Sequence, residues 1–184
     1  MDSLVAYLVA AMVGWVPVHA QPQESPDEVM DRYESIARDA ATVALDPDES
    51  PIFDGPDGRA KTALLMLSVA SFESGYRKRV DDGRGRGDNG RSFCLMQIRV
   101  GTGETSEGWT GPDLVQDRTR CFRAALHILR RSFGVCRSLP FDDRLSAYAS
   151  GSCSLGTEAS RRRVHRARAW GATHEPPRIG PTDS

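Results

Sequence analysis

The chain has 184 residues, of which 39% are hydrophobic and 27% are charged. This is the composition of an ordinary globular protein, which excludes a disordered or fibrous chain, and the length predicts one domain with tails. The net charge of -1 neither favours nor excludes an anionic partner.

Charge is distributed unevenly along the chain. Residues 21–58 contain eleven acidic residues and two arginines, whereas residues 113–170 contain twelve arginines and five acidic residues. Two interpretations remain open. Either the acidic front and the basic back neutralise each other within the fold, or the basic part forms a surface for a partner.

Residues 1–20 are strongly apolar. The stretch from Leu4 to Val18 is too short for a helix that spans a membrane, so we predict no stable membrane span. It has the length of the apolar segment of a signal peptide, and "VHA" before Gln21 resembles a cleavage site, although Asp2 stands where such peptides have a basic residue. The alternative is an N-terminal helix packed on the domain, and the sequence leaves both interpretations open.

Residues 21–58 are predicted to form an acidic helix followed by a loop. In "SPDEVMDRYESIARDAATVAL", Ser25 is a candidate N-cap, Pro26 fits the first turn, and apolar residues recur at helical spacing. The next segment, "DPDESPIFDGPDG", has the composition of a loop.

Residues 59–171 are predicted to form the main domain. Their first segment, "RAKTALLMLSVASFES", is apolar nearly all round, which indicates a central buried helix that ends near Gly75. A loop over residues 77–92 leads into an extended segment, "SFCLMQIRVGTG".

Three further helices are predicted: residues 113–133, residues 141–150, and a helix with Thr157 as N-cap that ends at Gly171. Residues 172–184 are predicted to be a mobile tail. The predicted fold class is therefore mainly α, a single helical domain with a small extended region.

The four cysteines, Cys94, Cys121, Cys136 and Cys153, suggest two disulfides if the chain is exported. The predicted helix carries the chain away from Cys121 before Cys136, so these two do not pair. If the next helix returns antiparallel, Cys153 comes level with Cys121, and we favour the pairs 121–153 and 94–136. Four reduced, buried cysteines are the alternative.

Glu73 stands at the end of the apolar helix. A carboxylic acid that loses water on burial keeps a protonated fraction near neutral pH, as a general acid requires. The alternative is an ordinary surface glutamate at a helix end, and composition alone does not decide between the two.

Three motifs follow one another along this helical chain: "SFESGY" (71–76), "SFCLMQI" (92–98) and "SAYASG" (146–151). In this order they resemble the lytic transglycosylases and goose-type lysozymes of the lysozyme superfamily. Those proteins carry Glu-Ser at the end of a central helix, Gly-Leu-Met-Gln after a loop, and Ala-Tyr-Asn-x-Gly further on. The resemblance covers residues 62–170 and implies a lysozyme-like α+β fold with a glycan cleft.

The residues that match these motifs are Glu73-Ser74, Leu95-Met96-Gln97, and Ala147-Tyr148 with Gly151. Two positions depart from the family pattern: Cys94 replaces a glycine and Ala149 replaces an asparagine. A side chain at Cys94 either narrows the cleft or is tied back in a disulfide. Ala149 lacks the amide that relatives place near the sugar.

The resemblance implies cleavage of the β-1,4 bond between MurNAc and GlcNAc in peptidoglycan, without a cofactor. Glu73 would be the general acid and then the base, and Tyr148 would hydrogen-bond Glu73. The residues implied to bind substrate are Ser74, Cys94, Leu95, Met96, Gln97, Tyr148 and Ala149. Asp81, Asp82 and Asp88 are candidate assisting carboxylates, with solvated loop charges as the favoured alternative.

The basic run "RRRVHRAR" (161–168) is interpreted first as a solvated helix face. Binding of anionic envelope polymers through Arg161, Arg162 and Arg163 is the second interpretation. The run has no interleaved aromatic residues for base stacking, so no nucleic-acid partner is expected. The four histidines have no metal-ligand spacing, so no metal is expected.

Lytic transglycosylase is therefore the first functional prediction. The alternatives are a hydrolytic lysozyme on the same fold, a non-catalytic glycan-binding or structural module of a phage or secretion assembly, and a basic nucleic-acid binder. Because peptidoglycan lies in the cell envelope, we expect a periplasmic, extracellular or virion-associated protein.

Overall fold

The computed structural model describes residues 1–178, and the chain within this range is mainly helical. The helices are α1 (Asp2–Trp15), α2 (Pro26–Leu45), α3 (Gly58–Glu73), α4 (Lys78–Asp81), α5 (Gly111–Gln116), α6 (Arg118–Val135), α7 (Ser146–Ser150) and α8 (Thr157–Thr173). Strands β1 (Ser92–Phe93) and β2 (Ile98–Arg99) form an antiparallel hairpin in which Ser92 pairs with Arg99. The predicted mainly α fold class is confirmed.

Helix α3 forms the centre of the core. Its residues from Ala63 to Ser71 are all buried, and α1, α2, α6 and α8 pack around it. A helix that is apolar on every side needs such an enclosure to remove its surface from water. Gly75 follows in the left-handed conformation, with φ of 59°, which ends the helix close to the predicted position.

Helix α2 lies against α3 and begins at the predicted cap. Ser25 accepts a hydrogen bond from the backbone N–H of Glu28, and the Glu28 carboxylate accepts one from the backbone N–H of Ser25. This reciprocal capping box, with Pro26 in the first turn, explains why the helix starts here.

Helix α1 packs on the domain. Leu4, Leu8 and Met12 are fully buried and lie one helical turn apart, so one face of α1 joins the core between α2 and α3. The end of α1 meets α8, where the ring of Trp15 packs edge-on against Trp170 at a centroid distance of 6.1 Å. In this structure, residues 1–20 therefore include a packed N-terminal helix.

Acidic residues of the segment 21–58 bind arginines of the segment 113–170 where α2 packs against α6. Arg118 of α6 binds Asp39 of α2 at 2.9 Å, and Arg123 binds Asp46 and Glu49 just beyond the end of α2. Part of the uneven charge distribution is therefore neutralised within the fold.

A cluster of Glu49, His127 and Glu107 connects three segments of the chain. His127 Nε2 lies 2.9 Å from Glu49 Oε2, and His127 Nδ1 hydrogen-bonds Glu107 Oε1. Glu107 belongs to the loop between β2 and α5, so the cluster fastens this loop to α6 and to the segment after α2.

The favoured disulfide pairing is wrong. The structure contains Cys94–Cys121 and Cys136–Cys153, with Cα–Cα distances of 6.2 and 5.4 Å. The reason is the length of α7, which has only five residues and packs near the C-terminal end of α6. Cys153 therefore stays beside Cys136 and does not travel back to Cys121.

Helix α8 packs against the C-terminal half of α3, where Ser68 Oγ donates to the carbonyl oxygen of Arg163. The N-cap of α8 is Gly156, in place of the predicted Thr157, and the helix ends at Thr173, two residues beyond the predicted end. Of the predicted mobile tail, residues 179–184 lie outside the described residues.

Between Met1 and Arg178, no helix combines the length and the apolar character that a membrane crossing needs.

We expect Leu8→Ala to lower the free energy of unfolding by about 3 kcal/mol, because it leaves a cavity where α1 joins the core. Urea unfolding of the purified full chain measures this. The control is Leu155→Ala, the same change at a side chain that is 62% exposed, with an expected cost below about 0.5 kcal/mol. Equal costs for the two variants would mean that α1 does not pack as described.

We also expect stability to depend on pH through His127. Burial disfavours its charge, but hydrogen bonds to Glu107 and Glu49 outweigh burial and raise the pKa of His127 above its usual 6.5. Its stabilisation is fully present below pH 6.5 and is lost as the pH rises through the folded-state pKa. Above about pH 6.5, the unfolding free energy should fall more steeply for the wild type than for His127→Gln in urea titrations; parallel pH profiles would contradict this.

The same cluster also makes stability depend on pH in acid, where the free energy of unfolding falls as the pH falls. Burial raises the pKa of Glu107, but hydrogen bonds from His127, Thr105 and Ser106 outweigh this and lower it from 4.5 to about 2. The stabilisation from Glu107 is therefore present above pH 4.5 and is lost as the pH falls towards 2.

Candidate functional site

Glu73 is the last residue of α3, and its carboxylate emerges at the edge of the core. The side chain is 21% exposed, so it is less buried than the sequence suggested. Arg163 of α8 donates from Nη2 to Glu73 Oε1 at 2.7 Å, and the Arg163 side chain is itself only 11% exposed. The pair is therefore a largely enclosed carboxylate with a guanidinium partner.

Arg163 is held in place on several sides. Its Nη1 donates to the carbonyl oxygen of Ala159 at 2.9 Å, and its guanidinium carbon lies 5.3 Å from the ring centroid of Phe72. Its Nε is buried and has no hydrogen-bond partner among the described residues. This packing directs Nη2 towards the Glu73 carboxylate.

Tyr148 of α7 lies beside Glu73 but does not bind it. The expected hydrogen bond to Glu73 is replaced by one from the Tyr148 hydroxyl to the carbonyl oxygen of Met96, at 2.8 Å. Burial, and after it the negative charge of Glu73, raise the pKa of Tyr148 well above its usual value. Tyr148 therefore joins α7 to the β1–β2 turn, within range of the charge of the Glu73 carboxylate.

The turn between β1 and β2 has an unusual backbone. Cys94 and Gln97 have φ of 58° and 48°, in the left-handed region that non-glycine residues rarely adopt. Cys94 stands where the resembled family has glycine, which adopts this conformation without steric cost. The disulfide to Cys121 ties the Cys94 side chain back, and at 3% exposure it does not narrow a cleft.

Besides Cys94, three of the residues predicted to bind substrate have enclosed side chains. Ser74 is fully buried and donates to the carbonyl oxygen of Ala70, while Leu95 and Met96 belong to the core. These three side chains stabilise the site from within, and they do not present atoms to a ligand.

Gln97 and Ala149 are partly exposed. The Gln97 amide donates to the carbonyl oxygen of Cys94 at 2.9 Å. Its Oε1 lies so close to Gly87 that a Cβ on that residue would approach to 2.4 Å. Ala149 provides only a methyl group, so the amide of the family pattern is absent at this position.

The three candidate assisting carboxylates have different surroundings. Asp81 is buried and receives two hydrogen bonds from Arg118, at 2.7 and 3.0 Å, which commits it to the contact between α4 and α6. Asp82 is exposed and pairs with Arg84. Asp88 accepts a hydrogen bond from Ser92 Oγ at 2.8 Å, next to the hairpin.

The predicted basic surface of α8 is partly used within the fold. Arg161 makes two hydrogen bonds to Asp143, at 2.6 and 2.9 Å, and Arg163 binds Glu73. Among residues 1–178, the carboxylate nearest to the Arg162 guanidinium is that of Glu158, at 3.9 Å.

The structure thus brings Glu73, Tyr148 and the hairpin turn together from the ends of three segments. Such a site holds one carboxylate, one guanidinium bound to it and one partly buried phenol on which the charge of the carboxylate acts. Arg163 is the residue that sequence reasoning did not assign to this site. The only signal for it was its membership of the basic run, because its contact with Glu73 spans 90 residues of chain.

Comparisons with protein-family models, with curated proteins and with solved structures gave no match for this chain.

We expect Tyr148→Phe to reduce the free energy of unfolding by about 1 kcal/mol, because it leaves the Met96 carbonyl oxygen without its partner. Tyr7→Phe is the matched control, since the buried Tyr7 hydroxyl has no hydrogen-bond partner among the described residues. Its expected change is close to zero. If thermal or urea unfolding gives the same loss for both variants, the Tyr148 bond does not join the motifs.

Proposed function

We propose that the protein is a peptidoglycan lytic transglycosylase that cleaves the MurNAc–GlcNAc bond with Glu73 as general acid and base. The observation that carries the proposal is the meeting of three distant motifs at one carboxylate. Glu73 ends the buried helix α3, the charge of Glu73 acts on Tyr148, and the Tyr148 hydroxyl also holds the hairpin turn through Met96.

In the proposed reaction, protonated Glu73 gives its proton to the glycosidic oxygen as the bond from C1 of MurNAc breaks. Glu73, now a carboxylate, takes the proton of the 6-hydroxyl of the same sugar as that oxygen bonds to C1. The product is a 1,6-anhydro end, and no water is consumed. No second carboxylate is needed when the substrate supplies the nucleophile.

Arg163 sets a condition on this reaction. A general acid must carry a proton, and a protonated Glu73 no longer forms an ion pair with Arg163. We therefore propose that bound substrate moves the Arg163 guanidinium from Glu73 and that the pair re-forms after product release. In the free protein, the pair keeps the carboxylate in one position.

Two alternatives keep the same site. A hydrolytic lysozyme would use Glu73 to activate water and would leave a reducing end. A non-catalytic glycan-binding module is favoured by two observations: Ala149 lacks the expected amide, and the Glu73 carboxylate is already satisfied by Arg163.

The proposed substrate places the protein in the cell envelope or on a virion. The two disulfides support a location of the protein in an oxidising compartment, because reducing compartments keep cysteines in the thiol form. Peptidoglycan glycan strands are the proposed partner.

The test is digestion of purified peptidoglycan, followed by mass spectrometry of the products and by zymography. We expect anhydro-muropeptides from the wild type, and a fall in rate of about 100-fold or more for Glu73→Gln, because the amide cannot transfer the proton. Glu158→Gln is the matched control; this side chain is 86% exposed at the start of α8 and should leave the rate unchanged.

The outcomes separate the proposals. If the products carry reducing ends and no anhydro ends, the protein is a hydrolase and the transglycosylase proposal is wrong. Equal activity of Glu73→Gln and wild type would exclude Glu73 as the acid. If the folded wild-type protein binds glycan strands but does not cleave them, the protein is a non-catalytic glycan-binding module.

A further inference from the structure

Arg166 of α8 differs from the neighbouring arginines of the helix, because it has no carboxylate partner among residues 1–178. Arg161, Arg163 and Arg168 have carboxylate partners within 2.9 Å. Arg166 has no carboxylate within 4.0 Å among residues 1–178. Partial burial disfavours the positive charge of the Arg166 guanidinium and lowers its pKa. A bound anion would stabilise this charge.

The Arg166 guanidinium is nevertheless held firmly. Its carbon lies 3.9 Å from the ring centroid of Phe72, and its Nη1 donates to Ser71 Oγ at 2.7 Å. Within the described part of the chain, its Nε and Nη2 have no hydrogen-bond partner. These two nitrogens form the edge of the guanidinium that can donate two parallel hydrogen bonds to the two oxygens of a carboxylate.

Arg166 lies in a shallow groove between the end of α1, the end of α3 and α8. We call it the Arg166 groove, and its main side chains are Trp15, Phe72, Arg162, His165, Arg166 and Trp170. Its walls thus combine aromatic rings with basic groups, and no acidic side chain lines it among the described residues. This charge fits an anionic ligand that also carries apolar atoms.

The Arg166 groove is adjacent to the proposed catalytic carboxylate. Phe72, on which Arg166 stacks, directly precedes Glu73, and Arg163 contacts both of them. Among the described residues, Glu73 itself does not line the groove, and Arg163, which contacts both Glu73 and Phe72, connects the groove to the carboxylate.

We propose that the Arg166 groove binds a free carboxylate of the stem peptide attached to the muramyl sugar. This rests on the proposed function, because that function places a peptide-bearing sugar beside Glu73. The Arg166 edge pairs with the carboxylate, while Trp170 and Trp15 contact apolar atoms of the peptide. Arg166 is then a substrate-binding residue that selects strands with acidic peptides over bare glycan.

Calorimetric titration of the folded full chain tests this with three ligands. The first is the disaccharide tetrapeptide GlcNAc–MurNAc-peptide, which contains no MurNAc–GlcNAc bond and is not cleaved. The second is the same molecule with its peptide carboxylates amidated, and the third is a neutral GlcNAc oligomer. We expect amidation to weaken binding to the wild type by about tenfold or more, as for loss of a charge-assisted pair.

Variants then locate the effect. Arg166→Gln should bind the tetrapeptide as weakly as the wild type binds the amidated form, and it should bind the GlcNAc oligomer as the wild type does. Arg168→Gln is the control, since this neighbouring side chain is 63% exposed and pairs with Asp142. It should bind all three ligands as the wild type does.

The inference is overturned if amidation leaves wild-type binding unchanged, a result that does not depend on any variant. It is also overturned if Arg166→Gln keeps wild-type affinity for the tetrapeptide. A separate titration with a glycerol-phosphate oligomer tests the other source of negative charge. If this oligomer binds the wild type more strongly than the tetrapeptide does, and Arg166→Gln removes that binding, the peptide proposal is overturned in favour of a phosphate polymer. If binding depends on amidation and on Arg166 but glycan strands are not cleaved, the proposed function fails and the carboxylate site stands.

Discussion

The enclosure of α3 is the constraint on which the rest of the structure depends. A helix with apolar residues on every side is stable in water only when other elements cover all of it. Helices α1, α2, α6 and α8 provide that cover, and their packing determines what stands at the end of α3. Glu73 is the residue at that end, where the core gives way to the surface.

The burial of α3 also explains why Glu73 needs Arg163. A carboxylate that is largely withdrawn from water loses much of its hydration, and a nearby guanidinium offsets this loss. In the proposed reaction this pair must separate, because Glu73 has to carry a proton before it can donate one. Stability of the free protein and the proposed proton transfer thus make opposite demands on Arg163. Arg166, one turn further along α8, has no carboxylate partner among residues 1–178, which is why we propose it as a ligand-binding residue.

Two covalent links support the surroundings of this carboxylate. Cys94–Cys121 fastens the hairpin turn to the start of α6, and Cys136–Cys153 fastens the segment after α7 to the end of the same helix. The turn that holds Met96 and the helix that holds Tyr148 are therefore both anchored to α6. This anchoring maintains the left-handed backbone at Cys94, which a non-glycine residue adopts only at a cost of about 1 kcal/mol or more.

The sequence by itself determined the helical class, the cap of α2 at Ser25, the central position of α3 and the place of Glu73 at its end. These features follow from local periodicity and capping, which a short stretch of chain encodes. The tertiary structure alone decided that Cys94 pairs with Cys121, that Tyr148 binds Met96 and that Arg163 binds Glu73. Such contacts join residues 27, 52 and 90 positions apart, and they depend on helix lengths and packing angles that no local pattern records.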